Sequence, residues 1–486
     1  MALLWWGCGD EPHKDLNHPG TQAEGGGLFD WESLAQFEID PPNETADTTL
    51  PIEGPPMVGG GVTCAPEGVW PLGAGSLTTV ILDLETAPDA VCNDGSPGAY
   101  AIRPGGNDWL VFLDGGAGCK NYGECLDRWC GSGIYDSTDM STGSIPDSLA
   151  VGGMLSASPS NPLAGFTTVY VHYCSSDLWV GDADANVRLE DTGDSGDSTD
   201  YAIRFNGDDI LMATLDELLS AERRTELQGL PAASEIRQFV LAGGSAGALG
   251  AIYHGDEVAE RVRAVAPAAD VRLALTAGLA SGVQASDDPW GEAVPGPLLD
   301  GLLGLVGYAD RASESFGPRK WNAQGDASCL FAHPSEPWWC ADSTHVLLNE
   351  VATPFFVAQD QHDLVWFSMM DDVIEGDGPF AGAYTGEMYE ADIRNLAVAT
   401  QQVIDPNVPS EYPESGPLPG VFSPRCHLHD DYARNGFAFQ YLEVPTLPEG
   451  PPLAFSELLA NWLSGAEPTW GLVEAEGEVD CAGPIP

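Results

Sequence analysis

Residues 243–247 read GGSAG and match the G-x-S-x-G pattern that surrounds many nucleophilic serines. The apolar run 239–242 before them predicts a buried strand, and the residues after them predict a helix. Glycine neighbours allow a serine to sit on a tight strand-to-helix turn, where its hydroxyl stands clear of the backbone. The pattern therefore predicts Ser245 as a nucleophile. A glycine turn with an incidental serine is the competing interpretation, because the pattern also occurs by chance.

A glycine-rich loop after an earlier apolar run is the second element that could take part in a reaction. Residues 109–112 predict a buried strand, and residues 113–119 (LDGGAGC) follow it directly. In α/β hydrolases the backbone N–H groups of such a loop, with the residue after the nucleophile, stabilise the reaction's oxyanion. The predicted donors are the N–H groups of Gly116 or Ala117 together with that of Ala246. A tight turn braced by a disulfide explains the same glycines and is compatible with this role.

A general base and an orienting acid are expected after the serine, in the order serine, aspartate, histidine. His427 and His429 lie in a late loop, and Asp360 and Asp363 follow an apolar run that predicts a late strand. Residue types and spacing alone do not separate the two histidines or the two aspartates. The other histidines after the serine are His254, His333, His345 and His362.

The elements that must position these residues alternate between short apolar runs and helical patterns. Predicted strands cover residues 77–82, 99–103, 109–114, 166–173 and 351–359, and a helix is predicted over 208–223. This alternation predicts an α/β fold with a doubly wound, mostly parallel sheet and helices on both faces. Residues 10–61 are acidic and rich in proline and glycine, which predicts a disordered leader. We therefore expect one domain over residues 62–486.

The composition restricts the partners of the protein. Its 486 residues include 74 acidic and 18 basic residues, for a formal net charge of −56. Nucleic acid is excluded as a partner, because phosphate binding depends on lysine and arginine. Acidic residues are spread along the whole chain, which favours a protein that works in saline surroundings, where counterions screen self-repulsion. No apolar run has the length of a membrane-spanning helix.

Eleven cysteines predict export to an oxidising compartment. No C-x-x-C pair and no cysteine–histidine spacing of the zinc-finger type occurs, so the sequence predicts neither a metal site nor a cofactor. Residues 1–9 resemble a truncated lipoprotein-type signal with Cys8 as the lipidated residue, although a basic n-region is missing and the apolar stretch is short. The expectation is a protein that is secreted or lipid-anchored through Cys8 at the bacterial cell envelope.

Four segments together resemble the pectin acetylesterase/Notum family in content and order. They are residues 92–100 (CNDGSPGAY), 109–119 (WLVFLDGGAGC), 173–179 (YCSSDLW) and 243–247 (GGSAG). The resemblance covers roughly residues 64–429, and the segment 173–179 is its most specific part. It implies an α/β-hydrolase fold with disulfide-braced loops and an extracellular serine carboxylesterase with a Ser-Asp-His triad.

The resemblance also implies roles for individual residues. It places the nucleophile at Ser245, selects Asp363 over Asp360 as the acid, and selects His429 over His427 as the base. The implied oxyanion donors are Gly116, Ala117 and Ala246. The implied disulfides are Cys92–Cys174 and Cys119–Cys125, and short spacing predicts Cys329–Cys340. No pairing is predicted for Cys64, Cys130, Cys426 and Cys481.

The expected function is hydrolysis of an acetyl or other short-chain ester of a glycan or similar substrate by a monomer. The glycine loop has the short Ala117-Gly118 where family members often carry a tryptophan. For this reason the substrate of this protein is not inferred from that of any family member. The alternatives are a deacylase of lipid-acylated protein, a non-catalytic cell-surface binding module on a hydrolase scaffold and a serine peptidase.

Overall fold

The computed structural model of the protein describes residues 45–46, 76–119, 122–129, 137–190, 198–220, 227, 229–279, 321, 323–334, 340, 343–363, 365, 419–426, 428–429, 439, 443–444, 453–465 and 471–473. The chain divides into two units, Met1–Ile39 and Asp40–Pro486, and every described residue belongs to the second. The predicted features outside the described residues are the segment 1–9, the leader apart from Thr45–Ala46, His427 and four cysteines, Cys8, Cys64, Cys130 and Cys481.

A ten-stranded sheet forms the centre of the fold. In chain order the described strands are β1 (Thr45–Ala46), β2 (Leu77–Ile81), β3 (Ala99–Arg103), β4 (Asp108–Leu113), β5 (Ser148–Leu149), β6 (Thr167–Val171), β7 (Ala183–Glu190), β8 (Ser198–Phe205), β9 (Gln238–Gly244), β10 (Asp270–Thr276), β11 (Phe355–Ala358), β12 (Gly420–Ser423), β13 (Glu443–Val444), β14 (Leu453–Ala454) and β15 (Gly471–Val473). The order in the central sheet is β15-β12-β11-β10-β9-β4-β6-β3-β2-β5.

The central sheet is mostly parallel, as predicted. The strands from β15 to β6 in that order run parallel to their neighbours, and only β3, β2 and β5 pair in antiparallel fashion. The carboxyl ends of parallel strands meet at one edge, where ligands of open α/β sheets bind. The loops after β4, β9, β11 and β12 therefore open on the same edge.

Helices cover both faces of this sheet, which confirms the predicted fold class. The described helices are α1 (Tyr122–Trp129), α2 (Gly207–Leu219), α3 (Ala246–Val265), α4 (Ala327–Ala332), α5 (Ser343–Asn349) and α6 (Phe455–Ser464). Gly255 of α3 packs closely on Leu273 of β10, and Trp462 of α6 packs on Phe356 of β11. Leu273 and Phe356 point to opposite faces, because Phe356 is level with Ala274 and successive strand residues alternate.

Two smaller sheets accompany the central one. Strands β7 and β8 form a long antiparallel ribbon, and β1 joins its edge, with Thr45 paired to Arg188. Thus two residues of the predicted leader form a strand. Strands β13 and β14 make a separate antiparallel pair. Within the described part of the chain, every helix is too short or too polar to cross a bilayer.

Candidate active site

Ser245 stands on a sharp turn between β9 and α3. Its backbone has φ 53° and ψ −122°, a conformation that L-residues other than glycine rarely adopt. The Ser245 N–H donates to the carbonyl of Thr276 on the neighbouring strand β10, at 2.9 Å. The turn thus holds a strained residue by a hydrogen bond to the sheet, as expected where function demands an unusual backbone.

The two outer glycines of the GGSAG segment are required by close backbone approach. A Cβ on Gly243 would overlap the carbonyl of Gly247, and a Cβ on Gly247 would overlap the carbonyl of Leu113 at the end of β4. The first turn of α3 therefore lies directly against both β9 and the loop after β4. Side chains at these two positions would force the serine turn away from the glycine loop.

Asp363 and His429 are paired on the loops after β11 and β12. His429 Nδ1 lies 2.8 Å from each carboxylate oxygen of Asp363. The Asp363 side chain is fully buried, whereas 16% of the His429 side chain is exposed. A buried carboxylate on Nδ1 fixes the ring orientation and leaves Nε2 as the nitrogen that can exchange a proton with a nucleophile.

Neighbouring donors hold the Asp363 carboxylate in place. Gln359 Nε2 donates to Oδ2 at 2.9 Å, and the backbone N–H of Val365 donates to Oδ1 at 3.1 Å. The Gln359 side-chain oxygen in turn accepts the N–H of Leu279, in the loop after β10. Gln359 therefore links the loops after β10 and β11. In the sequence, Gln359 ends a predicted strand, and no role was predicted for it.

Asp360 has a different position from Asp363. Its Oδ2 accepts the backbone N–H of Leu428, the residue before His429, at 2.6 Å. The N–H of His362 also donates to the carbonyl of Cys426, at 3.2 Å. The loop that carries Asp360 and Asp363 is thus bonded to the loop that carries His429, and Asp360 supports that loop instead of contacting the imidazole.

The glycine loop after β4 places backbone N–H groups beside the serine turn. Ala117 has φ 52°, in the left-handed region. Arg128 of α1 donates from Nη1 to the carbonyl of Gly116 at 2.8 Å, and the Tyr173 hydroxyl donates to the carbonyl of Ala117 at 2.7 Å. Among the described residues, none accepts a hydrogen bond from the N–H of Gly116, Ala117 or Ala246. Both loop carbonyls are therefore occupied, while the predicted oxyanion donors are available.

Asp177 organises the segment 173–179 that supports the glycine loop. Its buried carboxylate accepts the Ser175 hydroxyl at 2.6 Å and the N–H groups of Trp179 and Gly207 at 3.0 and 2.7 Å. Burial raises the pKa of Asp177, against the lowering effect of these hydrogen bonds. The Trp179 indole N–H then donates to the carbonyl of Asp114, at the start of the glycine loop. The segment 173–179 thus supports the start of the glycine loop, where the loop leaves β4.

Three disulfides lie in the described part of the chain: Cys92–Cys174, Cys119–Cys125 and Cys329–Cys340. The first joins the segment 173–179 to the loop that carries Cys92, and the second ties the end of the glycine loop to α1. Cys426 is also disulfide-bonded. His254 is buried within α3, where its Nε2 lies 2.8 Å from the carbonyl of Trp179. That contact gives His254 a structural position on the helix.

The comparison with known families supplies the assignment. The pectinacetylesterase family matches residues 74–429, about three quarters of the sequence. The chain belongs to the pectinacetylesterase family. The match begins just before β2 and ends at His429, so it includes every residue described above for this site.

Curated relatives fall into two named groups. The palmitoleoyl-protein carboxylesterase notum1a of Danio rerio is 25% identical over 74% of this chain and 61% of its own length. The palmitoleoyl-protein carboxylesterase Notum of Drosophila melanogaster is 29% identical over 55% of this chain and 35% of its own. Pectin acetylesterase 11 of Arabidopsis thaliana is 28% identical over 38% of this chain and 42% of its own. The chain thus spans between a third and three fifths of these relatives.

A solved structure shares the fold. The crystal structure of the Wnt deacylase Notum from Drosophila superposes with a TM-score of 0.55 and 22% identity. The match covers 82% of this chain and 96% of the other. The predicted α/β-hydrolase-like fold is confirmed by this likeness and by the mostly parallel sheet.

Proposed function

We propose that the protein is a serine carboxylesterase that hydrolyses an O-acyl ester through an acyl-enzyme. The observation that carries this proposal is the Asp363–His429 pair, 2.8 Å apart, on loops at the same sheet edge as the strained Ser245. Membership of a family whose named relatives are carboxylesterases supports it. A binding module would have no need of a buried acid behind a histidine on this edge.

In the proposed mechanism, Ser245 Oγ attacks the ester carbonyl while His429 Nε2 takes the hydroxyl proton. Asp363 holds the imidazole and stabilises the imidazolium that forms. The N–H groups of Ala246 and of Gly116 or Ala117 donate to the developing oxyanion. His429 then protonates the leaving alcohol, and a water molecule repeats the sequence to release the acid and regenerate Ser245.

We propose an acetyl or other short-chain ester of a glycan as the substrate. A relative named as a pectin acetylesterase supports this choice. An anionic polysaccharide would be repelled by a protein of net charge −56 at low salt, which favours a neutral glycan. Deacylation of a lipid-acylated protein is the second candidate, favoured by the relatives named palmitoleoyl-protein carboxylesterases.

Replacing the nucleophile tests the reaction. In Ser245→Ala, we expect kcat for a p-nitrophenyl acetate assay to fall by about 10⁶-fold, as in other serine hydrolases that lose the nucleophile. A fluorophosphonate probe should label the parent at Ser245 and leave the variant unlabelled. The matched control is Ser234→Ala, an exposed serine, which should keep parental turnover and labelling.

Two results would contradict the proposal. One is parental turnover in Ser245→Ala, and the other is a folded parent that neither turns over nor reacts with the probe, which would favour the binding module. Comparing kcat/KM for acetyl and octanoyl esters then separates the two substrate candidates, because a lipid deacylase should prefer the longer chain.

We further propose that the protein is exported. The disulfides in its described residues support this, since such bonds persist in oxidising compartments. Non-reducing and reducing electrophoresis of protein from culture medium and cell fractions checks it. Lipidation at Cys8 stays a prediction and is tested by solubilisation with detergent.

A further inference from the structure

Two histidines and a glutamate converge at a site that the proposed reaction does not use. His333 follows α4, His345 lies on α5, and Glu350 follows α5 directly. Glu350 Oε1 lies 3.6 Å from His333 Nε2 and 4.0 Å from His345 Nε2. The two imidazole rings meet edge-on, with centroids 5.3 Å apart. A single carboxylate oxygen therefore faces one nitrogen of each ring.

These separations are too long for direct hydrogen bonds, which span about 2.7–3.2 Å. They are close to the spacing of two ligands on one metal ion. Zinc binds imidazole nitrogen and carboxylate oxygen at about 2.0–2.2 Å, so tetrahedral geometry places neighbouring ligand atoms about 3.3 Å apart. Side-chain shifts of less than about 1 Å bring Glu350 Oε1 to that spacing from both imidazole nitrogens. We propose that His333, His345 and Glu350 form a binding site for a divalent transition-metal ion, with zinc as the ion that fits.

The burial of the three side chains suits such a site. Their exposed fractions are 25% for His333, 11% for His345 and 17% for Glu350. The groups are thus largely held by protein, yet an ion and one water molecule have access from solvent. Three protein ligands with a fourth position for water is a usual coordination set for zinc.

A disulfide beside the site fixes the position of the first histidine. Cys329 Sγ and the nearest nitrogens of His333 and His345 all lie within 4.8 Å of one another. Cys329 is bonded to Cys340, so its sulfur is no thiolate and the ligands of the oxidised protein are nitrogen and oxygen. The carbonyl of Cys329 accepts the N–H of His333 at 2.8 Å, which sets the backbone of this ligand.

A polar group also lies behind the second histidine. Asn349 Nδ2 donates to the carbonyl of His345 at 2.9 Å and lies 3.3 Å from His345 Nδ1. These contacts leave His345 Nε2, the nitrogen that faces Glu350, as the ring nitrogen directed at the metal position.

The site lies next to the helix that carries the serine turn. Asp256 of α3 accepts the N–H groups of Ala352 and Thr353, at 2.9 and 2.8 Å, just after Glu350. An ion on α4 and α5 would therefore clamp two short helices onto the segment that is bonded to α3. Metal binding at this site is independent of whether Ser245 hydrolyses an ester.

Zinc titration tests the site in the full-length, disulfide-intact protein. After treatment with a chelator, the protein is titrated with ZnCl₂ by calorimetry in high salt with excess Mg²⁺, which suppresses weak binding to its acidic surface. We expect one tight Zn²⁺ per chain and a rise in Tm of about 3 °C at saturating zinc. His333→Gln and Glu350→Gln should each weaken binding by at least about tenfold.

Glu85→Gln is the matched control, because Glu85 is exposed and its loss changes the net charge equally. This variant should bind zinc as the parent does. Replacing zinc with Co²⁺ adds a spectroscopic readout, since a tetrahedral ion gives strong visible absorption that His333→Gln should abolish. The proposal is overturned by the lack of saturable zinc binding in the parent, or by equal affinity in the parent, His333→Gln and Glu350→Gln.

Discussion

At the scale of single residues, Asp360 and Asp363 differ in the hydrogen-bond donors that their carboxylate oxygens accept. Asp363 accepts from the imidazole of His429, whereas Asp360 accepts from the backbone N–H of Leu428. An amide side chain still offers one oxygen, so it can replace a carboxylate that binds an N–H. It cannot replace the charge that stabilises an imidazolium, and its NH₂ group favours the wrong histidine tautomer.

We therefore expect different results from the two amide substitutions. Asp363→Asn should lower kcat for ester hydrolysis by about 10⁴-fold, because His429 loses its orienting anion. Asp360→Asn should lower kcat by less than about tenfold, since an asparagine oxygen still accepts the Leu428 N–H. Steady-state kinetics on p-nitrophenyl acetate measures both, and thermal unfolding checks that both variants fold. Equal losses in the two variants would contradict the assigned roles.

Sequence patterns located these loops but not the geometry within them. A late apolar run predicted a strand before Asp360 and Asp363, and parallel strands bring such loops to one edge. The choice between the aspartates depends on contacts between residues 66 and 68 positions apart, which no local pattern encodes. The convergence of His333 and His345 was not predicted, for the same reason. His333 follows α4 and His345 lies on α5, twelve positions further along the chain.

At the scale of elements, α1 sets the direction of the glycine loop. Arg128 Nη1 donates to the Gly116 carbonyl, and Arg128 Nε donates to the Ser176 hydroxyl at 3.1 Å. The Gly116 carbonyl and the Ala117 N–H belong to the same planar peptide and point in opposite directions. Anchoring the carbonyl on Arg128 therefore keeps the Ala117 N–H turned away from α1.

Removing this anchor should impair the transition state more than substrate binding. In Arg128→Met the peptide is free to rotate, and we expect kcat to fall by about 10–10²-fold with KM changed little, because the oxyanion exists only after attack. Arg128→Lys should recover part of kcat through one remaining donor. Stopped-flow acylation with p-nitrophenyl acetate measures the step directly.

A purely structural role for Arg128 predicts another pattern. In that case Arg128→Met would lower Tm while molecules that remain folded acylate at the parental rate. Titrating active sites with a fluorophosphonate gives the concentration of folded enzyme, so that kcat is expressed per competent molecule. Parental acylation on that basis would remove Arg128 from the positioning of the oxyanion donors.

Sequence patterns predicted the elements of the central sheet better than those around it. Strands β3, β4 and β6 and helix α3 carry clear apolar periods and match the prediction closely. The ribbon of β7 and β8 was not predicted, because residues 183–205 are largely polar and have no buried-strand pattern. The role of α1 was also missed, since a single arginine on a short helix gives no sequence signal.

At the scale of the whole molecule, the acidic residues are so numerous that some of them lie at partly buried positions. Asp208 and Asp209 open helix α2, where the helix dipole favours negative charge. Burial, and next the charges of Asp182 and Asp208, raise the pKa of Asp209 to about 7. The folded protein therefore binds a proton between pH 3.8 and 7 that the unfolded chain has released.

The sign of the pH effect follows from this difference. Because the folded state holds more protons in that window, its stability decreases as pH rises from about 4 to 7 and stays lower above pH 7. Asp209→Asn resembles the protonated side chain at every pH. The variant should match the parent near pH 4 and exceed its free energy of unfolding at pH 8 by about 1 kcal/mol, once solvent screening of a partly exposed carboxylate is allowed for.

Denaturant unfolding at several pH values and two salt concentrations measures this effect. Asp147→Asn is the matched control, since Asp147 is exposed and its loss removes the same charge. Its stability curve should run parallel to that of the parent across pH 4 to 8. High salt should shrink the advantage of Asp209→Asn without abolishing it, because salt screens the neighbouring carboxylates but does not restore water to a buried oxygen. Parallel curves for the parent and Asp209→Asn would show that Asp209 is ionised from pH 4 to 8. Helix α2 would then bind no proton at Asp209 in a folded protein whose formal net charge is −56.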